Sequence, residues 1–401
     1  MEAQTTMLRL VPREELESRL ARFQARLRAA EIDVALIIQG ADLIYLAGTR
    51  QQAHLIVPAE GSPLLLARKS LSRAERESAW PTQPLRSLRD LPKIVAELTG
   101  AAPRRVGLEL DVMPVMVFRQ YEGLWAEAAT VDVGAILRDL RAVKSPWELD
   151  RIREAGLLID RMLQAVPDIL REGITEVEFA GRLEAVGRAL GNQGLTPMRH
   201  WNQQPFYGAL VAGPNAAEAT YFDGPIGGLG VSVASPINAG MRMIRRGEPI
   251  VIDYMVGVDG YLSDQTRIFS LGPLPQYLVD AHEAMRDVYA TVARAARPGV
   301  TGGDVYDIAV ARAAELGMAD MFMGSGEGRV GFVAHGIGLE VDELPLLAKG
   351  YQGMLEPGMV LALEPKAIFP SVGGVGIENV TVVTETGLES LCVSPEEIIV
   401  L

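Results

Sequence analysis

Of 401 residues one is cysteine, Cys392, and four are histidine. A single thiol excludes an intrachain disulfide and argues against thiolate metal or redox centres. No stretch approaches the ~18 consecutive apolar residues of a membrane span. The opening Met-Glu-Ala-Gln-Thr-Thr-Met has neither a basic start nor an apolar run, so no signal peptide is expected. Positive charge is also in short supply. A net charge of −13 argues against a nucleic-acid or anionic-membrane partner. Repeats, low-complexity tracts and long charge runs are missing too. What is present, 48% hydrophobic and 22% charged residues, is ordinary for a globular chain, and a cytoplasmic setting is expected.

The length exceeds what one hydrophobic core usually serves, so two domains are expected. Residues 13–30 repeat apolar positions at helical spacing, and Val34–Ile38, Leu43–Leu46 and His54–Val57 read as strands. Helical patterns return near 71–79, 91–99 and 115–127. This alternation predicts an α/β domain over residues 1–140. Ser145-Pro146-Trp147-Glu148 then carries an N-cap, a first-turn proline and a capping-box acid, predicting a long helix over 145–171. A helix near 175–190, strands from 206 to 270, helices near 275–297 and 302–317 and further strands complete a second, α+β domain over 141–401.

The most informative segment joins two β-rich runs, Pro249–Val256 and Tyr261–Phe269, through Gly257-Val-Asp-Gly, a hairpin signal. A turn at Val258-Asp259 sets Asp253 directly opposite Asp264; a turn one residue later makes them diagonal neighbours. Directly opposed side chains lie roughly 5 Å apart at Cβ, where like charges repel. Two carboxylates among Ile, Val and Phe need a cation, or one must stay protonated. A metal is the simplest answer. Further donors stand in similar surroundings: His335 in Val-Ala-His-Gly-Ile-Gly, Glu364 in Leu-Ala-Leu-Glu-Pro, and Glu378 in Val-Gly-Ile-Glu-Asn-Val. Two Asp, two Glu and one His suit a pair of divalent ions that activate a water and clamp an oxyanion. Thr266, within Gln265-Thr266-Arg267, is expected to buttress the donors.

In order and context, these five positions resemble the ligand set of the pita-bread metallohydrolases: aminopeptidase P, prolidase, methionine aminopeptidase and creatinase. The matching segments are Val251-Ile-Asp with Gly260-Tyr-Leu-Ser-Asp-Gln-Thr-Arg, His335-Gly-Ile-Gly, Leu363-Glu-Pro and Ile377-Glu-Asn. The resemblance covers roughly residues 145–401, and the preceding domain is more loosely similar to the creatinase/prolidase N-terminal domain. It implies two divalent ions per chain, of Mn, Co, Zn or Fe, held by Asp253, Asp264, His335, Glu364 and Glu378. It also implies a hydroxide bridging the ions, Glu364 as proton shuttle, C–N bond cleavage of an Xaa-Pro peptide type, and a homodimer.

The substrate side departs from the proline-directed members. Their additional histidines fall here at Pro236, Gly331 and Asp342, and an arginine two before the last glutamate falls at Gly376. Asp342 is a candidate acid/base, although beside Glu340 and Glu343 it also reads as an exposed acidic loop. Arg199 and His200, with the glycine-rich stretch from Tyr221 to Gly230, are expected to form a different substrate wall; His200 reads equally as a packing histidine. His54 and His282 read as structural, and Gly227-Gly-Leu-Gly leads into no clear helix, which disfavours a phosphate loop. The second reading is a creatinase-like or lyase-like enzyme for a small polar substrate, and the third a non-catalytic binding protein.

Overall fold

A computed structural model describes residues 8–203 and 206–401. Gln204 and Pro205, inside the expected wall segment, and the first seven residues lie outside the described part. The chain separates into two compact units, Met1–Arg141 and Ala142–Leu401. Among the described residues, no helix is long and apolar enough to cross a membrane.

The first unit is built on a mixed six-stranded sheet, in the order Thr82–Pro84, Leu64–Ala67, Ala53–Pro58, Val34–Ile37, Arg105–Leu108, Ala129–Asp132. Its central strands are buried along their whole length, as a sheet layered between helices requires. One expectation fails here. Leu43–Leu46, read as a strand, belongs to the helix Gly40–Ala47. The Gln39 side chain accepts from the Ala41 and Asp42 N–H groups, and Gly48 closes the helix in the left-handed conformation. Caps at both ends decide an apolar run too short for its period to do so.

In the second unit the helix Pro146–Gln164 starts as predicted: Ser145 Oγ accepts from Glu148 N–H, and the Glu148 carboxylate accepts from Ser145 N–H. It ends seven residues early, because Pro167 cannot continue the ladder and begins a separate turn, Val166–Ile169. A four-stranded sheet follows, in the order Ile399–Val400, Tyr261–Ser270, Ile250–Val258, Gly208–Ala212. Ile250, Ile252, Tyr254 and Val256 pack with Leu158, Ile159 and Phe179 of the helices Pro146–Gln164 and Glu176–Leu190. Their alternates follow the strand period of two onto the other face, where Val251 and Ile268 join the core of the helices Gln276–Ala295 and Gly302–Glu315. Asp253 and Asp264 share this second face.

A five-stranded sheet runs in the order Val341–Ala348, Phe332–Ile337, Val360–Leu363, Asn379–Thr384, Gly387–Ser390, and Lys366–Phe369 pairs with Gly373–Gly376 as a ribbon. The strands expected throughout 206–270 are interrupted. After the short turn Gly213–Ala217 the chain forms no extended strand until Ile250. A Cβ at Gly227 would lie 1.7 Å from the Glu218 carbonyl oxygen, so this stretch folds back on itself too closely for side chains.

Candidate metal centre

The hairpin turns at Asp259-Gly260, where both residues have positive φ (50° and 94°), as a two-residue primed turn demands. Val258 therefore faces Tyr261, Asp253 faces Thr266, and Met255 faces Asp264. The aspartates are diagonal neighbours, the second of the two registers the sequence allows. His335 lies on the strand Phe332–Ile337 opposite Ala362, and Glu364 follows the end of the strand Val360–Leu363. Leu363 in turn pairs with Asn379, which brings Glu378 beside Glu364, and a bridge between Thr266 and Glu378 ties this sheet to the hairpin. All five predicted donors thus converge, three from within strands and two from the ends of two further strands.

One oxygen or nitrogen each of Asp264, His335 and Glu378 lies within 4.8 Å of the others. Asp264 Oδ1 is buried and without a hydrogen-bond partner, and an unpartnered carboxylate oxygen aimed into such a cluster is what a cation would satisfy. His335 Nδ1 is 3.1 Å from Gly336 O, which as donor leaves Nε2 facing Glu364 Oε1 (3.7 Å) and Glu378 Oε1 (4.0 Å). These residues fit one divalent ion.

The remaining donors meet a cation the sequence reading missed. Lys366 Nζ is 2.6 Å from Glu364 Oε2, 2.8 Å from Glu378 Oε2 and 3.1 Å from Asp253 Oδ2, with its side chain 1% exposed. Its only signal in the sequence is a lysine two residues after Glu364, opening the otherwise apolar run Lys-Ala-Ile-Phe. Thr266 Oγ1 donates to Glu378 Oε2 at 2.7 Å, as expected of a buttress. The buried Arg267 donates to the backbone carbonyls of Thr266, Glu378 and Ser394 and to Asn379 Oδ1, fixing the strand that carries Glu378.

The electrostatics follow this layout. Burial, reinforced by Glu378 and Asp253, holds the Asp264 carboxyl well above its ordinary range. Burial also raises Glu364 to about 8, against the pull of Lys366. Glu378 differs: burial is outweighed by Lys366, His335 and Thr266, which hold it below the usual range. For His335 burial is outweighed by Asp342, Glu364 and Glu378, and the imidazole is pushed up.

The donors form the floor of a cavity whose walls include Phe206, Asn238, Met255 and, from the glycine-rich stretch, Phe222, Asp223 and Pro225. Phe206 and Phe222 meet edge to face at 5.0 Å. Asp342 lines the cavity on the strand Val341–Ala348, with Oδ1 3.6 Å from His335 Nδ1. The structure does not bring Arg199 and His200 to this wall. Arg199 Nη1 is 3.4 Å from Glu340 Oε2, away from the lining, and His200 is exposed. Pro236, Gly331 and Gly376 also stand off the lining; Gly376 instead faces Lys366 across the ribbon.

Residues 150–385 match metallopeptidase family M24, and residues 19–143 match the creatinase/prolidase N-terminal domain. The chain is 30% identical to the probable dipeptidase PepE of Mycobacterium tuberculosis (strain ATCC 25618 / H37Rv), over 95% of this chain and 96% of that protein. It is 25% identical to the Xaa-Pro dipeptidase of Pyrococcus horikoshii, over 92% and 95%. The crystal structure of dipeptidase PepE from Mycobacterium ulcerans superposes with a TM-score of 0.80 at 27% identity, covering 98% of this chain and 99% of that one. A family match over more than half of the chain, joined to five metal-type donors on one cavity floor, leads to one conclusion: the chain belongs to metallopeptidase family M24, a pita-bread enzyme with a creatinase/prolidase N-terminal domain.

Proposed function

We propose that this enzyme hydrolyses short peptides with a free amino terminus, dipeptides above all, with a divalent metal held by Asp264, His335 and Glu378. The observation that carries this reading is the convergence of those three donors, with the unpartnered Asp264 Oδ1, on the floor of a walled cavity. Such an ion supplies Lewis acidity for a scissile carbonyl and makes water a nucleophile near neutral pH. Two further carboxylates, Asp223 and Asp342, line the same cavity, and either one suits a substrate α-ammonium. Glu364 directs Oε2 to Lys366 and Oε1 towards His335, which leaves Oε1 as the atom placed to take a proton and pass it to the leaving amine. Phe206, Phe222 and Pro225 exclude water from one wall.

Of the two ions that the resemblance implies, the geometry supports the one at Asp264, His335 and Glu378. Mn, Co, Zn and Fe all suit its oxygen and nitrogen donors. A homodimer, which the family resemblance implies, and a cytoplasmic setting complete the reading. The relatives' names favour dipeptides, Xaa-Pro among them. The metal-stripped chain, reloaded with each of the four metals, is assayed on free dipeptides, Xaa-Pro dipeptides and their N-acetylated forms. Cleavage of free but not acetylated substrates is expected; no cleavage of any peptide with any metal sinks the proposal.

A further inference from the structure

Lys366 invites a different account of the centre. It is among the largest side chains that are wholly buried, and its ammonium lies within 3.1 Å of one oxygen from each of three expected metal ligands, Asp253, Glu364 and Glu378. An ammonium enclosed this way cannot be a strayed surface charge, because desolvating it without partners would be prohibitive. The carboxylates are shared in an ordered manner. Glu378 gives Oε2 to Lys366 and Thr266 and keeps Oε1 towards His335, so it spans two cationic positions as a bridging ligand would. Glu364 does the same, with Oε2 on Lys366 and Oε1 towards His335.

The ribbon explains how the lysine fits. Lys366 pairs directly with Gly376, the position where the proline-directed members carry arginine. A Cβ at Gly376 would lie 2.7 Å from Lys366 Cα and 2.9 Å from its Cγ, so a side chain at 376 and the observed path of Lys366 exclude each other. Glycine at 376 is thus what lets the ribbon carry the lysine in among the donors.

We propose that the Lys366 ammonium is a tethered substitute for one of the two divalent ions, so that the enzyme binds a single divalent ion per chain, at Asp264, His335 and Glu378. This rests on the metal-dependent reading above and deepens it. One divalent ion together with Lys366 nearly balances the four carboxylates. Ions at both positions would crowd three cationic centres into one pocket and displace the lysine from all three of its partners. An ammonium attracts and orients anions but cannot accept a lone pair, so Lewis-acid chemistry is confined to the single ion.

The test is stoichiometry. Full-length protein is saturated with Mn²⁺, desalted, and examined by elemental analysis and electron paramagnetic resonance. One equivalent with the six-line spectrum of an isolated ion is expected, and Lys366→Ala is expected to take up a second equivalent and to show a spin-coupled spectrum. Two equivalents in the wild-type chain, or one in a folded Lys366→Ala variant, overturn the substitution while leaving metal dependence intact. Zero equivalents in the wild-type chain overturn the metal-dependent reading and the inference together. The wild-type count is decisive even if circular dichroism shows that the variant fails to fold.

Discussion

Thr266 has a neutral hydroxyl in the most heavily charged part of the molecule, and its hydrogen bond to Glu378 helps set where that carboxylate points. It faces Asp253 across the hairpin and donates to Glu378 Oε2 at 2.7 Å, which helps keep Oε1 turned towards His335. Thr266→Val preserves the shape and removes the donor, leaving Oε2 to Lys366 alone. Partners of this kind typically change metal affinity by about 10–100-fold. Calorimetric titration with Mn²⁺ should therefore show an affinity lower by about that factor, with little change in melting temperature; unchanged affinity would mean that Glu378 is oriented by Lys366 and Arg267 without it. At this scale the sequence was most legible where burial is expensive. An acid inside a run of Ile and Val needs an explanation, and all four such acids meet, with His335, on the cavity floor. Lys366 was not legible, since a lysine just after Glu-Pro reads as a solvated strand end, and only the ribbon pairing with Gly376 carries it inward. Asp342 was ambiguous for a related reason: its acidic neighbours Glu340 and Glu343 are buried by ion pairs with Arg199 and Lys144, distant in sequence.

Among the elements, the helix Glu176–Leu190 does more than cover a sheet. Glu176, in its first turn and wholly buried, accepts from Ala212 N–H at 2.9 Å, Gly240 N–H at 3.0 Å and Asn215 Nδ2 at 2.6 Å. Asn215 Oδ1 then accepts from Leu229 N–H. One carboxylate thereby pins both ends of the irregular segment that supplies Phe222, Asp223 and Pro225 to the cavity wall. Glu176→Ala strands three buried donors, each costing about 1–3 kcal/mol when unsatisfied. Faster amide exchange across 213–240 and a raised KM are expected, with kcat and metal stoichiometry near wild type because no donor of the centre is touched. Unchanged exchange in that segment would refute the pinning role. Strands and helices with clear periods were readable, and the Asp-Gly turn contains the register that separates the aspartates. The segment 218–249 was not, because its apolar residues suggest strands while glycine-rich close contacts forbid a regular ladder.

Across the whole molecule, each unit has a core of its own, so each should answer separately to its own perturbation. In the first unit the sensitive group is His54, read from sequence as structural. It is 4% exposed, with Nε2 2.6 Å from the Tyr121 hydroxyl and Nδ1 without a partner. Burial, helped by Arg68, lowers its pKa from 6.5 to about 4. Between those values the unfolded chain takes up a proton that the folded chain refuses, so stability is present in full above pH 6.5 and falls as the pH drops towards 4. The loss is roughly 3 kcal/mol when complete. Glu109 in the same unit contributes the opposite slope, since burial and the nearby Asp42 hold its carboxyl above the usual range. Comparing wild type with His54→Gln cancels that contribution, because Glu109 is common to both. Urea unfolding from pH 7 to pH 4, with amide exchange of residues 53–67 assigning the transition to this unit, should show the wild type losing roughly 3 kcal/mol more than the variant. Equal losses would mean that the buried imidazole charges at little cost, and that the acid sensitivity of this unit lies elsewhere.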